Sequence, residues 1–141
     1  MSSTQRLVRD LMTANVVTLG RNESLSTADD VMRMGRIRHL PVVDEEGALV
    51  GIVSQRDLFY GGLMRALGYG THARQNALES LFVKEAMKPE VVTTTPDTPL
   101  AQAAKLMLER KIGCLVVLED GKIAGILTEG DFVRLALIRE S

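Results

Sequence analysis

Gly51-Ile52-Val53-Ser54-Gln55-Arg56-Asp57 and Gly125-Ile126-Leu127-Thr128-Glu129-Gly130-Asp131 are one pattern, Gly-x-x-Ser/Thr-x-x-Asp, written twice. The match extends outward from both copies. An offset of 75 residues lays Met12, Val16, Val17 and Thr18 on Met87, Val91, Val92 and Thr93. The same offset pairs Leu25, Ala28, Met32, Ile37, Leu40 and Val42 with Leu100, Ala103, Met107, Ile112, Leu115 and Val117. One deletion near Glu45 changes the offset to 74, and Gly47, Gly51, Ile52 and Asp57 then meet Gly121, Gly125, Ile126 and Asp131. The identities fall on apolar and glycine slots, the signature of a tandem duplication.

Each copy is near the lower limit for folding alone, because a chain of about sixty residues buries too little surface. Packed together, the copies make one unit within the 141 residues. With three Phe, two Tyr and no Trp, the core must be built from Val, Ile, Leu, Met and Ala. Net charge is −1 with the signs interspersed, which argues against a phosphate-backbone binder. Cys114 is the single cysteine, so no internal disulfide is expected, in keeping with a reducing cytoplasm. No export signal or run of 18 apolar residues is evident, so no membrane association is expected.

Each copy opens with a helical turn, Val8–Met12 or Val83–Met87, followed by a β-branched run, Val16–Thr18 or Val91–Thr95, read as a strand. A helix follows, with Leu25, Ala28, Val31 and Met32, or Leu100, Ala103, Leu106 and Met107, at helical spacing. Thr98 reads as its cap in the second copy, with Pro99 at the first helical position. The runs Leu40–Val43 and Leu115–Leu118, acidic turns with Gly47 or Gly121, and returning strands Leu49–Val53 and Ile123–Leu127 make hairpins. A last helix starts near Asp57 and near Asp131.

Residues 61–82 belong to neither copy. Gly61-Gly62 should stop a helix, Gly68-Tyr69-Gly70 reads as a loop, and a helical pattern resumes from Ala73. It carries Ala77, Leu78, Leu81 and Phe82 on one side and runs into Val83. The segment reads either as a connector packed on the module or as a docking element.

In order and spacing, Met12-Thr13, Val16–Thr18, Ile37–Asp44 and Gly51–Asp57 resemble the hallmark stretches of a CBS domain. Ala86-Met87, Val91–Thr93, Ile112–Val117 and Gly125–Asp131 resemble a second. The pair is similar to a Bateman module, with repeats at 7–60 and 83–138 joined by the 61–82 linker. The resemblance implies a mixed α+β or α/β fold, two βαββα units packed about a pseudo-twofold axis with clefts between them. It further implies an adenosine-containing regulatory ligand (AMP, ADP, ATP or S-adenosylmethionine), frequent pairing into a homodimer, no required cofactor and no catalysis. Output is then expected through an unidentified protein partner.

The chemistry of the motif agrees. An Asp at a helix start can accept both hydroxyls of a ribose diol, and a Ser or Thr three residues earlier can donate to phosphate at a helix N-terminus. By the resemblance these roles fall to Asp57 with Ser54 and to Asp131 with Thr128. The same residues are also ordinary helix caps. The resemblance places Thr18 and Thr93 against the base or ribose. Ile37, Ile112, Pro41 and Val116 suit an adenine ring, and suit any core equally. Arg38, His39 and Arg56 occupy slots that meet phosphate in the family, opposite Gly113, Cys114 and Gly130 in the second copy. The copies are therefore expected to be unequal. Cys114, among apolar neighbours, reads as a small buried residue rather than an activated thiol. No metal cluster, catalytic triad or nucleotide loop is evident. A ligand-free dimerisation or docking scaffold is the alternative. A nucleic-acid role through Arg65, His72 and Arg74 is a weaker one.

Overall fold

A computed structural model describes residues 5–59 and 78–140, with side chains through 137. The linker features at Gly61-Gly62, Arg65, Gly68-Tyr69-Gly70, His72, Ala73, Arg74 and Ala77 lie outside the described residues. Two compact units emerge, one of Val17–Val91 and one of Met1–Val16 with Val92–Ser141.

The Val17–Val91 unit contains β1 (Leu19–Gly20), α1 (Leu25–Gly35), β2 (His39–Val43), β3 (Leu49–Ser54), helical residues 55–59 and 78–80, and α2 (Val83–Ala86). The other contains α3 (Val8–Leu11), β4 (Thr93–Thr94), α4 (Leu100–Arg110), β5 (Cys114–Glu119), β6 (Lys122–Thr128) and α5 (Glu129–Glu140). Each sheet has three strands in the order β1-β2-β3 or β4-β5-β6. The first pair is parallel and the second antiparallel. The mixed α/β architecture is the one expected.

The amphipathic helices explain the cores. Leu25, Ala28 and Met32 of α1 meet Leu19, Leu40, Val42 and Val53 of the sheet, with Leu58, Leu78, Leu81 and Val83. Leu100, Ala103 and Met107 of α4 meet Leu115, Val117 and Leu127, with Val8 and Leu11. Each fully buried Leu or Val contributes about 1.5–3 kcal/mol. Helices α1 and α4 end alike, at Arg36 (φ 54°) and Lys111 (φ 55°), both left-handed. There the N–H groups of Ile37 and Ile112 reach back to the carbonyls of Met32 and Met107.

Several sequence expectations need correction. The first strand lies at Leu19–Gly20, not Val16–Thr18, so Thr18 precedes it. In the second copy the Val116 N–H donates to the Val92 carbonyl at 3.3 Å. Its counterpart, Pro41, has no N–H, and the parallel ladder therefore begins one residue later, at Leu19 opposite Val42. Pro99 is the N-cap of α4, not its first residue, and Thr98 instead pairs its hydroxyl with that of Thr95 at 2.7 Å. Phe82 does not share the buried side of Leu78 and Leu81; it is 47% exposed under the Lys84 ammonium. The chain is extended there because Leu25 donates to Leu81 and Val83 to Glu23. The sequence offers the helical faces carrying Met32, Leu58, Phe59, Met107, Phe132 and Leu135 for pairing of two copies, and of these Met32, Leu58 and Met107 are buried core residues instead.

The hairpins differ in their turns. Asp120 (φ 53°) and Gly121 (φ 78°) form a two-residue connection whose positive φ values match strand twist. In the longer first turn, the Asp44 carboxylate accepts the N–H groups of Ala48 and Glu46, each at 2.9 Å. These bonds hold its pKa below the ordinary value. Any stability they supply is present at neutral pH and fades as acid protonates the group.

Each unit takes its opening segment from the other sequence repeat. Thr13 exchanges both backbone hydrogen bonds with Ile126 at 2.9 Å, and Lys88 does the same with Ile52 at 2.9 and 3.0 Å. The crossing passes directly over a glycine in each sheet. A Cβ on Gly125 would stand 2.9 Å from the Thr13 carbonyl oxygen and 2.7 Å from the Met12 sulfur. On Gly51 it would stand 3.0 Å from the Lys88 oxygen and 2.4 Å from the Met87 sulfur.

Gly51→Ala and Gly125→Ala are each expected to lower unfolding stability in urea by about 1–3 kcal/mol, the usual cost of overpacking. Removing the adjacent methionine side chain as well should not restore the loss, because a backbone oxygen remains in the way. Arg36→Gly and Lys111→Gly, at left-handed positions, should instead raise unfolding stability in urea, by roughly 0.5–1 kcal/mol each.

Candidate functional site

Strand register sorts the candidate residues onto one face of each sheet. Paired residues share a face and neighbours along a strand alternate. His39 and Pro41 of β2 pair with Ser54 and Ile52 of β3, while Leu40, Val42 and Val53 turn to the core. Cys114 and Val116 of β5 pair with Thr128 and Ile126 of β6, and Thr93 lies beside Val116. The opposite face carries Leu115, Val117 and Leu127.

The motif hydroxyls and carboxylates lie where strand becomes helix. Ser54 Oγ accepts the Asp57 N–H at 3.1 Å, and Asp57 Oδ2 accepts the Ser54 N–H at 2.8 Å. This is a reciprocal capping box with Asp in place of Glu. In the second copy Asp131 Oδ2 accepts both the N–H (2.9 Å) and the hydroxyl (3.3 Å) of Thr128. The helix N–H groups of Gln55 and Glu129 reach the carbonyls of Arg38 and Gly113. Thus Arg38 and His39 are brought beside Ser54, Arg56 and Asp57, and Gly113 and Cys114 beside Thr128, Gly130 and Asp131.

The remaining candidates divide. Thr18 and Thr93 are exposed, and Pro41 and Val116 are buried. Ile37 and Ile112 are half-buried and pack against the two cores, which accounts for their apolar character without a ligand. Arg38 and Arg56 are exposed and His39 is half-buried. Cys114 is half-buried rather than buried, a correction that follows from its place on the sheet face away from the core.

Two residues missed in the sequence flank the carboxylates. Lys88 Nζ stands 3.9 Å from Asp57 Oδ1. At the equivalent position Thr13 donates its hydroxyl to Asp131 Oδ1 at 3.3 Å. The register of the opening segments creates these contacts across 118 residues in the second case, so local sequence offered no signal. Arg134, which pairs with Asp131 Oδ1, was legible as an i,i+3 partner on a helix.

Four positions consequently differ in one direction. Arg38, His39, Arg56 and Lys88 gather around the Asp57 helix start, against Gly113, Cys114, Gly130 and Thr13 around Asp131. The carboxylates differ too: the Asp57 side chain is 12% exposed and that of Asp131 4%. Among the described residues no His/Cys/Asp/Glu cluster has metal-binding geometry, and no helix is long and apolar enough to cross a membrane.

The CBS domain family model matches residues 8–61 and 83–138. The chain belongs to the CBS domain family. A CBS domain-containing protein of Dictyostelium discoideum is 33% identical over 132 residues, covering 93% of this chain and 91% of that one. The CBS domain pair of protein MJ0100, solved with 5′-methylthioadenosine and S-adenosyl-L-methionine, is 30% identical with a TM-score of 0.77, covering 96% and 98%. CBSX2, solved with AMP, is 31% identical with a TM-score of 0.74, again covering 96% and 98%. The chain also spans 24% of the length of the homoserine O-acetyltransferase of Methanococcoides burtonii, at 35% identity.

The buried carboxylate should matter more to folding. Asp131→Ala is expected to cost about 1.5–3 kcal/mol, the range for charged hydrogen bonds. Asp57→Ala should cost about 1 kcal/mol, the loss of a helix cap. Parallel urea denaturation of the two variants checks the order.

Proposed function

We propose that this CBS pair is a regulatory module that binds an adenosine-containing ligand through Asp57 and Ser54. The supporting observation is the clustering of the family's motif positions around one strand-to-helix start, together with two relatives solved with adenosine compounds. Asp57 Oδ1 accepts no hydrogen bond from the described residues and can receive a ribose hydroxyl. Thr18, His39 and Pro41 line the same end of the sheet and would flank the base.

The basic group sets the ligand class. Arg38, Arg56 and Lys88 are exposed cations near Asp57, and a guanidinium can meet phosphate through two donors. AMP, ADP or ATP is therefore favoured over an uncharged nucleoside. S-Adenosylmethionine, positively charged at sulfur, fits this cluster less well. Binding would act by favouring one arrangement of the repeats over another, to the extent that the ligand's affinities for them differ. Exposed Met34, Leu108, Val133 and Leu137 offer apolar surface through which a homodimer or a protein partner would receive that change. The relatives with an attached enzyme suggest that the output is control of catalysis elsewhere, not catalysis by this chain.

Calorimetric titration with adenosine, AMP, ADP, ATP and S-adenosylmethionine tests the reading. Asp57→Ala should weaken every adenosine ligand by about ten- to hundredfold, as expected for loss of a charge-assisted hydrogen-bond pair. Wild-type affinity in that variant would contradict the ribose assignment. Arg38→Ala and Arg56→Ala should weaken AMP about tenfold or more while leaving adenosine nearly unchanged, since each removes a phosphate contact. Equal losses for the two ligands would assign these arginines to the fold instead.

A further inference from the structure

The two motif carboxylates, alike in sequence, are in different states. An ionised carboxylate offers about four acceptor positions. Asp131 fills them all from its own unit: Thr128 N–H and hydroxyl on Oδ2, Thr13 hydroxyl and the Arg134 guanidinium on Oδ1. Asp57 accepts the Ser54 N–H and, at 3.9 Å, faces the Lys88 ammonium without a hydrogen bond. We infer that Arg134 is a latch that withholds Asp131 from ligand, so that the module takes adenosine compounds at the Asp57 site alone. The inference rests on the adenosine reading above and specifies which copy carries it.

The physical basis is competition for lone pairs. A ribose hydroxyl can reach Asp131 only by displacing a donor already in place. Thr128 and Thr13 are held by backbone pairing on β6 and on the opening segment. Arg134 is the donor free to leave, because its side chain is 60% exposed on α5 while its partner carboxylate is 4% exposed. Its charge also neutralises Asp131 where Gly113, Cys114 and Gly130 provide no cation. In the first unit Lys88 faces Asp57 Oδ1 at 3.9 Å without a hydrogen bond.

Arg134→Ala removes the latch and leaves the Thr128 cap. The test combines calorimetric stoichiometry for AMP and adenosine with amide chemical-shift mapping of the full chain. The wild type should bind one equivalent per chain and shift the amides of residues 54–57, with those of 128–131 unmoved. Arg134→Ala should bind a second equivalent and shift residues 128–131, while the first site keeps its affinity. A variant that still binds one equivalent, or a wild type whose residues 128–131 already respond, would overturn the latch. Failure of both proteins to bind any adenosine compound would instead reject the reading on which the latch rests, and the latch with it. Circular dichroism of the variant confirms that the fold is retained.

Discussion

The fold depends on two short backbone crossings. Thr13 pairs with Ile126 and Lys88 with Ile52, and each crossing needs a glycine beneath it. Gly51 and Gly125 lie in ordinary strands, where a side chain would be tolerated if nothing approached. Their recurrence in both copies has a steric cause: a backbone oxygen lies 3.0 Å from where a Cβ on Gly51 would stand and 2.9 Å from one on Gly125. The crossings also explain why Val8 and Leu11 are buried beside Leu100 and Leu115, and why Val83 is buried beside Leu25 and Leu40. A single repeat would lack its opening segment, leaving part of its core uncovered.

The same crossings shape the candidate site. They carry Lys88 to Asp57 and Thr13 to Asp131, giving one carboxylate a cation at a distance and the other a hydroxyl in contact. The capping role and the proposed ligand role use different atoms. Oδ2 of each Asp holds the helix start, so the proposed ligand role falls to Oδ1. A motif can therefore be fully occupied as a cap and still leave one carboxylate oxygen without a hydrogen bond from the described residues, as at Asp57. At Asp131 Oδ1 is filled as well, by the Thr13 hydroxyl and the Arg134 guanidinium.

Duplication preserved the frame and released the surroundings. Apolar and glycine slots match across the copies because both cores and both crossings need them. The polar positions around the helix starts carry no such demand, and there the copies diverge, with Arg38, His39, Arg56 and Lys88 set against Gly113, Cys114, Gly130 and Thr13. The apolar helical faces show how far pattern reading reaches. Met32 and Met107 have the spacing of either a core stripe or a docking stripe, and only their burial against β2 and β5 distinguishes the two.

The sequence by itself determined the repeat, the order of helices and hairpins, and the Ser/Thr-x-x-Asp helix starts, because each is written in local spacing. It also held the signal for the shortened β1, since Pro41 in place of Val116 removes a ladder N–H, although its effect appears only once the partner strand is known. The tertiary structure decided which half of the chain each opening segment completes, which residue flanks each carboxylate, and which hydrophobic faces are already covered. Those facts depend on contacts between residues far apart in sequence, such as Thr13 with Asp131 and Lys88 with Asp57. Hydrophobic period and turn chemistry specify what a segment is, while backbone pairing at a glycine specifies where it docks.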